Sequence, residues 1–190
     1  MNRPATLLVL LLAGLLAGCG GGSRPTGIRA AETPADDVAE YQPRWRSHTV
    51  DSTQYRKGFL AGTIDMGRSS DWQAALVARF RDSIGGRWLF FNPRRREFHA
   101  SPAEMEYQVA WELAHLEAAD LIVMNLLGDS RSPISLLEMG LYARSGKLFV
   151  ACSPDYYRYD NVRITCRRYG VPLYDSLTAL LDDLPQQSDE

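Results

Sequence analysis

Glu138 is a lone carboxylate among Leu136, Leu137, Met139 and Leu141, and it follows an apolar run, Leu121 to Leu127, after one intervening loop. A carboxylate in that setting can serve as a nucleophile, an acid or a base, provided its side chain reaches a crevice. Spacing alone equally fits a solvated glutamate on an outer helix face. Ser132 and Pro133 open the segment that carries it; serine is a good N-cap and proline suits the first helical position. Helical side chains lean toward the N-terminus, so a Glu in the second turn can point back to the carboxyl end of the preceding strand. Open α/β sheets keep their ligands at that end.

Two further loops carry groups that could bind a ligand. Gly62-Thr-Ile-Asp-Met-Gly-Arg-Ser-Ser70 offers glycines for close backbone approach, hydroxyls and Arg68. Amides at a helix N-terminus bind anions, and an arginine adds a bidentate contact to phosphate. An ordinary βα turn would look much the same. Asn92-Pro-Arg-Arg-Arg96 is basic and starts rigidly, and reads as a phosphate contact or as a solvated loop. His99 and His115 have no partner at ligand spacing, so neither a metal nor another cofactor is expected; His115 reads as a helix-surface residue. Tyr156, Tyr157 and Tyr159 could stack on a base or pack over the sheet edge.

The elements that must position these groups alternate strand and helix. Gly58 to Ile64 is the first strand, followed by a helix over Asp71 to Phe80; Trp88 to Phe91 is the second, ended by Asn92-Pro93. Pro102 to Ala118 reads as a helix with Met105, Val109, Leu113 and Leu116 at helical spacing. Asp120 to Leu127 is the third strand, Ser132 to Ser145 a helix, and Lys147 to Cys152 the fourth strand. Asn161 to Tyr169 and Ser176 to Leu184 are helices flanking a fifth short strand, Val171 to Tyr174. This alternation predicts an α/β fold, a doubly wound parallel five-stranded sheet of flavodoxin-like or Rossmann-like type with order 2-1-3-4-5. Asp120, at the end away from the crevice, reads as structural.

The N-terminus speaks to location. Arg3, the apolar stretch Leu7 to Leu16 and small residues up to Cys19 form a signal peptide too short to be an uncleaved span. Leu16-Ala-Gly-Cys19 resembles the lipobox of bacterial lipoproteins, which implies lipidation of Cys19; an ordinary secretory signal with a chance Cys is the other reading. Residues 1–18 are thus the signal, 19–46 the lipidated Cys with a flexible Gly/Pro/charge-rich tether, and 47–190 the domain. The expected location is the cell envelope, held to the membrane through Cys19. With Gly20 and not Asp after it, the sorting pattern favours the periplasmic leaflet of an outer membrane if the host has one. Loss of the signal removes only Arg3 from the basic count and takes the formal charge from −2 to −3, which argues against nucleic acid as a partner. Cys152 and Cys166 remain, and an oxidising compartment permits a disulfide, although buried free thiols are as common in such cores.

Several segments in order resemble the nucleoside 2-deoxyribosyltransferase-like superfamily. They are Phe59-Leu-Ala-Gly-Thr-Ile64, Asp71-Trp72, Asn92-Pro-Arg-Arg95, Trp111-Glu-Leu113, Ala119-Asp120, Ser132-Pro-Ile-Ser-Leu-Leu-Glu-Met-Gly-Leu-Tyr-Ala143, Ser145-Gly-Lys147 and Arg168-Tyr-Gly-Val-Pro172. The resemblance implies that Glu138 is the nucleophile in a reaction at the anomeric carbon, and that Glu112 is an auxiliary acid or sugar-hydroxyl contact; by its spacing alone Glu112 is equally a surface residue. It gives Gly62, Thr63, Ile64, Gly67, Arg68, Asn92 and Ser132 as the substrate-binding set. Ser132 departs from the transferases, which carry Asp there, and is similar to the related 2'-deoxynucleoside 5'-phosphate N-hydrolases. Asp repels a phosphate whereas Ser donates to it, so Thr63, Gly67, Arg68 and Ser132 become phosphate-side candidates. The implied activity is hydrolysis or deoxyribosyl transfer on a nucleoside or nucleotide through a covalent glycosyl-Glu intermediate, in a homo-oligomer. The alternative is a non-catalytic lipoprotein using the same fold as a nucleotide-binding or interaction module.

Overall fold

The computed structural model describes residues 38–44, 51–95, 99 and 101–184. Cys19 and most of the expected tether lie outside them. Six parallel strands form one sheet in the order β1-β3-β2-β4-β5-β6: β1 Val38–Tyr41, β2 Arg56–Gly62, β3 Trp88–Phe91, β4 Leu121–Leu126, β5 Leu148–Cys152 and β6 Leu173–Tyr174. The helices are α1 Trp72–Arg79, prolonged by a π turn over Phe80–Ile84, α2 Pro102–Ala118, α3 Pro133–Tyr142, α4 Tyr159–Tyr169 and α5 Leu177–Asp183.

The strand count corrects the expected five: a sixth strand is added at one edge, while the five expected strands keep the order 2-1-3-4-5 among themselves. The added strand is β1, inside the stretch read as tether, and it pairs in parallel with β3 from Val38↔Trp88 to Tyr41↔Phe91. Four residues in a Pro- and charge-rich neighbourhood carry too little periodicity to announce a strand. Their pairing is dictated from elsewhere, by the open edge of β3.

Side chains alternate across the sheet, so each strand feeds two cores. Phe59, Phe91, Ile122, Met124 and Val150 face a layer with Trp111, Leu116, Met139, Val162 and Cys166. Leu60, Trp88, Phe90 and Val123 face the opposite layer with Trp72, Leu76, Phe80 and Leu180. Both faces of the sheet are therefore covered, which explains why β4 is buried at every position. Asp120 is structural as expected: its Oδ2 accepts from the Lys57 N–H at 2.8 Å where β2 begins. Lys147 does more than start a strand. Its ammonium donates to the carbonyls of Leu116, Glu117 and Ala119 at 2.8–2.9 Å, closing the C-terminus of α2.

Helix α2 is rotated from the expected setting. Met105, Val109 and Leu113 are 47, 45 and 44% exposed, and only Leu116 of that set is buried. The face that wins holds Trp111, whose ring lies 5.8 Å from Tyr41, 6.2 Å from Phe59 and 4.1 Å from His115. One large aromatic seated in an aromatic cluster outweighs a stripe of mid-sized aliphatics. His115 is consequently half-buried in that cluster instead of on the surface, with Nδ1 2.7 Å from the Trp111 carbonyl.

Cys152 and Cys166 are buried and free. Burial pushes their thiols up to about 12 and about 11 respectively. Neither will be labelled by a thiol reagent at pH 8 in the folded protein, and both will be in denaturant, as intact mass would show.

Candidate active site

The site forms where the loops after β2, β3 and β4 meet at the carboxyl edge of the sheet. Gly62 lets the first loop cross β4 closely: at φ +124°, an added Cβ would lie 2.2 Å from the Asn125 carbonyl oxygen. The Thr63 N–H then donates to that same carbonyl at 2.9 Å. Beyond it, Asp65, Met66 and Gly67 all have positive φ, and Met66 is 88% exposed at the tip.

Hydroxyls tie the first loop to the third. The Leu127 N–H donates to Thr63 Oγ1 at 3.1 Å, Thr63 Oγ1 lies 2.8 Å from Ser132 Oγ, and Ser132 Oγ lies 2.5 Å from Ser130 Oγ. Ser130 Oγ in turn donates to Asp65 Oδ1 at 3.4 Å. Ser132 stands at the N-cap position but does not cap: it is left-handed (φ 37°, ψ 53°) and its side chain makes no bond to the helix. The following proline disfavours the right-handed helical region for this residue, and the resulting conformation accompanies the bonds of its hydroxyl to the loops. Thr63 is fully buried, so its role is to lock loops together.

Glu138 lies inward on α3 and is only 8% exposed, which removes the outer-face reading. Burial, then the charge of Glu112, raises its carboxyl from 4.5 to about 8. Among the described residues no hydrogen bond to this carboxylate is formed. Glu112 is raised too, by burial, against a lowering hydrogen bond from Gln108. The two acids thus face one another in a poorly solvated site, the arrangement that separates acid and base roles between paired carboxylates.

The basic loop after β3 is turned inward. Arg94 donates to Gln73 Oε1 at 3.0 Å, to Ser69 Oγ at 2.8 Å and to the Ser70 carbonyl at 2.9 Å, which props the first loop. Asn92, 2% exposed, bonds Glu40 through Nδ2 at 2.6 Å and accepts from the Arg94 N–H at 2.9 Å. Arg68 is exposed, with Nε on its own loop's Asp65 carbonyl at 3.2 Å. The structure therefore brings together Glu138 with Glu112, and Thr63 with Ser132. It gives Asn92 and Arg68 separate local partners, while Gly62 and Ile64 shape the loop backbone. Tyr156 is core, 2% exposed, its hydroxyl donating to the Arg131 carbonyl at 2.6 Å.

Sequence reading missed Ser130 and Gln108. Ser130 is two residues from Ser132 in the same loop. Gln108 is four residues before Glu112, one turn away on the same helix face, and that spacing was the available signal.

The family model described as nucleoside 2-deoxyribosyltransferase like matches residues 55–156, more than half of the chain. No curated protein matches. Among solved structures, a conserved protein from Enterococcus faecalis V583 is similar at a TM-score of 0.51 and 15% identity, over 70% of this chain and 99% of that one. That likeness speaks for the fold, a parallel sheet flanked by helices. The family is generally enzymatic. With its matched segment supplying β2 to β5 and both facing glutamates, the chain belongs to the nucleoside 2-deoxyribosyltransferase-like family.

Proposed function

We propose that the protein cleaves or exchanges the N-glycosidic bond of a deoxynucleoside or deoxynucleotide, with Glu138 as nucleophile and Glu112 as its proton partner. The observation that carries this reading is the buried carboxyl of Glu138 with the half-buried Glu112 close enough for its charge to raise it. In the first step a Glu138 oxygen bonds to the anomeric carbon while the bond to the base nitrogen breaks; the electron pair goes to the base, which takes a proton from Glu112. Water, or a second base, then attacks that carbon, Glu112 takes the incoming proton, and the ester electrons return to Glu138. Burial favours the proton on Glu138, so it passes to Glu112 as positive charge builds on the sugar ring and favours an ionised Glu138. The hydroxyls of Ser130 and Ser132 beside the start of α3 suit a 5'-phosphate. Lipidation at Cys19 would hold the enzyme at the envelope membrane, on the periplasmic leaflet of an outer membrane in a diderm host, where released or scavenged nucleotides are the available substrates.

The test is to incubate the full chain with deoxynucleosides and deoxynucleotides, follow free base by chromatography, and look for a glycosyl adduct on Glu138 by intact mass. The active form holds one proton between two acids, so the rate against pH should be bell-shaped. Its alkaline limb should fall near 8, where the last proton leaves, and its acid limb above the ordinary carboxylate range, where the second proton arrives. A flat profile between pH 5 and 9, or no base from any substrate, would overturn the assignment.

A further inference from the structure

We propose that Gln108 is a positioning residue for Glu112, and that Arg95, Glu104 and the N-terminal segment 38–44 hold Gln108 in its working orientation. The proposal rests on the reading of Glu112 as part of the catalytic pair. It concerns residues that the family match, which starts at residue 55, does not include on the side of β1.

The contacts run as a relay. Gln108 Nε2 donates to Glu112 Oε1 at 2.9 Å and to the Pro93 carbonyl at 3.2 Å. Arg95 Nη1 donates to Gln108 Oε1 at 3.4 Å, and Arg95 Nη2 to Glu104 Oε2 at 2.9 Å. Arg44 Nη2 closes the chain on Glu104 Oε1 at 2.7 Å. Its guanidinium also lies 3.8 Å from the centre of the Tyr107 ring, and its backbone N–H donates to the Tyr107 hydroxyl at 3.2 Å. Strand β1 steadies the same corner: the Asn92 N–H donates to the Tyr41 carbonyl at 2.9 Å, and Glu40 takes the Asn92 side chain.

The direction of these bonds decides their effect. An arginine has only donors, so it must meet the oxygen of the Gln108 amide, and the NH2 is thereby turned to Glu112. An amide flipped the other way would set donor against donor at Arg95. Glu112 is thus always offered a hydrogen, which favours its ionised form. Without that donor the burial that raises the Glu112 carboxyl would act unopposed, and a doubly protonated pair has no nucleophile. The groups facing Glu112 are Glu138 from α3 and, on its own helix and through the amide, Gln108 with Arg95 from the β3–α2 loop; His115 lies one turn after it along α2 and Glu104 two turns before it. Of these only Gln108 donates to its carboxylate among the described residues.

The experiment compares full-chain wild type with Gln108→Leu, Arg44→Ala and Arg44→Lys. Loss of a hydrogen bond to a charged acceptor should move the acid limb of kcat/KM upward by roughly one pH unit in Gln108→Leu. In that variant kcat should fall about tenfold with KM nearly unchanged, because orientation and proton placement are lost and not binding. Arg44→Ala should shift the limb the same way by less, and Arg44→Lys should restore it. Carboxyl carbon NMR titration of Glu112 reads the same displacement without substrate, so it stands even if the wild type releases no base and the glycosidic reading falls. An unchanged Glu112 midpoint in both Gln108→Leu and Arg44→Ala would overturn the proposal, as would a uniform loss of rate with the pH profile unmoved.

Discussion

Glu138→Gln will remove base release by about a thousandfold or more and at the same time make the protein more stable in alkaline buffer. The activity loss follows from chemistry: an amide keeps the shape but cannot form and release the sugar ester. The stability gain follows from linkage. The folded carboxyl titrates near 8 and the unfolded one near 4.5, so between those values the folded chain keeps a proton that the unfolded chain has released. Stability from this group is fully present below the unfolded value and drains away as pH rises through the folded one. Above pH 8 the wild type carries the whole penalty, on the order of 5 kcal/mol, and the glutamine variant carries none. Urea unfolding of both proteins at pH 5 and pH 9 measures it. A difference that is the same at both pH values would show that Glu138 is not held protonated by its surroundings.

Gly62→Ala should cost about 3 kcal/mol or more and disable the site with it. The added methyl would sit 2.2 Å from the Asn125 carbonyl oxygen and 2.7 Å from its nitrogen, both backbone atoms of the central strand. Relief requires β2 and β4 to separate where Gly62 pairs with Asn125. Thr63 would then lose its grip on the Leu127 N–H and Ser132, and the three loops would no longer be held as one. Gly67→Ala is the control: φ is +81° but nothing lies within 4 Å, so only backbone strain of about 1 kcal/mol is expected. Denaturant midpoints of the two variants compare the effects, and equal losses would remove close packing as the reason.

The helices were legible in the sequence because local signals agree there. Ser101 and Ser176 cap α2 and α5, each accepting an N–H three residues on, where Ser and an apolar pattern coincide. The five strands built around apolar segments could be read for the same reason, although the first starts at Arg56 and ends at Gly62 where Gly58 to Ile64 is expected. Strand β1 could not, since its place depends on β3 and not on its own residues. The rotation of α2 was hidden because two apolar stripes compete on that helix, and only the three-dimensional cluster around Trp111 decides between them. Glu138 could be singled out as an acid among hydrophobics, but its burial depends on α2, a separate part of the chain. Gln108 and Arg95 were invisible as a pair: a glutamine on a helix and an arginine in a basic loop announce nothing until the amide's orientation is known.

Strand β1 has a consequence for how the molecule fails. It is one edge of the sheet, four residues long, joined among the described residues on one side and to a strand far along the chain. Pairings of that kind open by local fluctuation at a fraction of the free energy needed to unfold the interior strands. Each opening takes Glu40 and the Tyr41 carbonyl away from Asn92 and loosens Arg44 from Glu104 while β2, β4 and β5 stay paired. On the proposed linkage of residues 38–44 to Glu112, the carboxylate pair is expected to lose its setting on heating before the sheet itself unfolds.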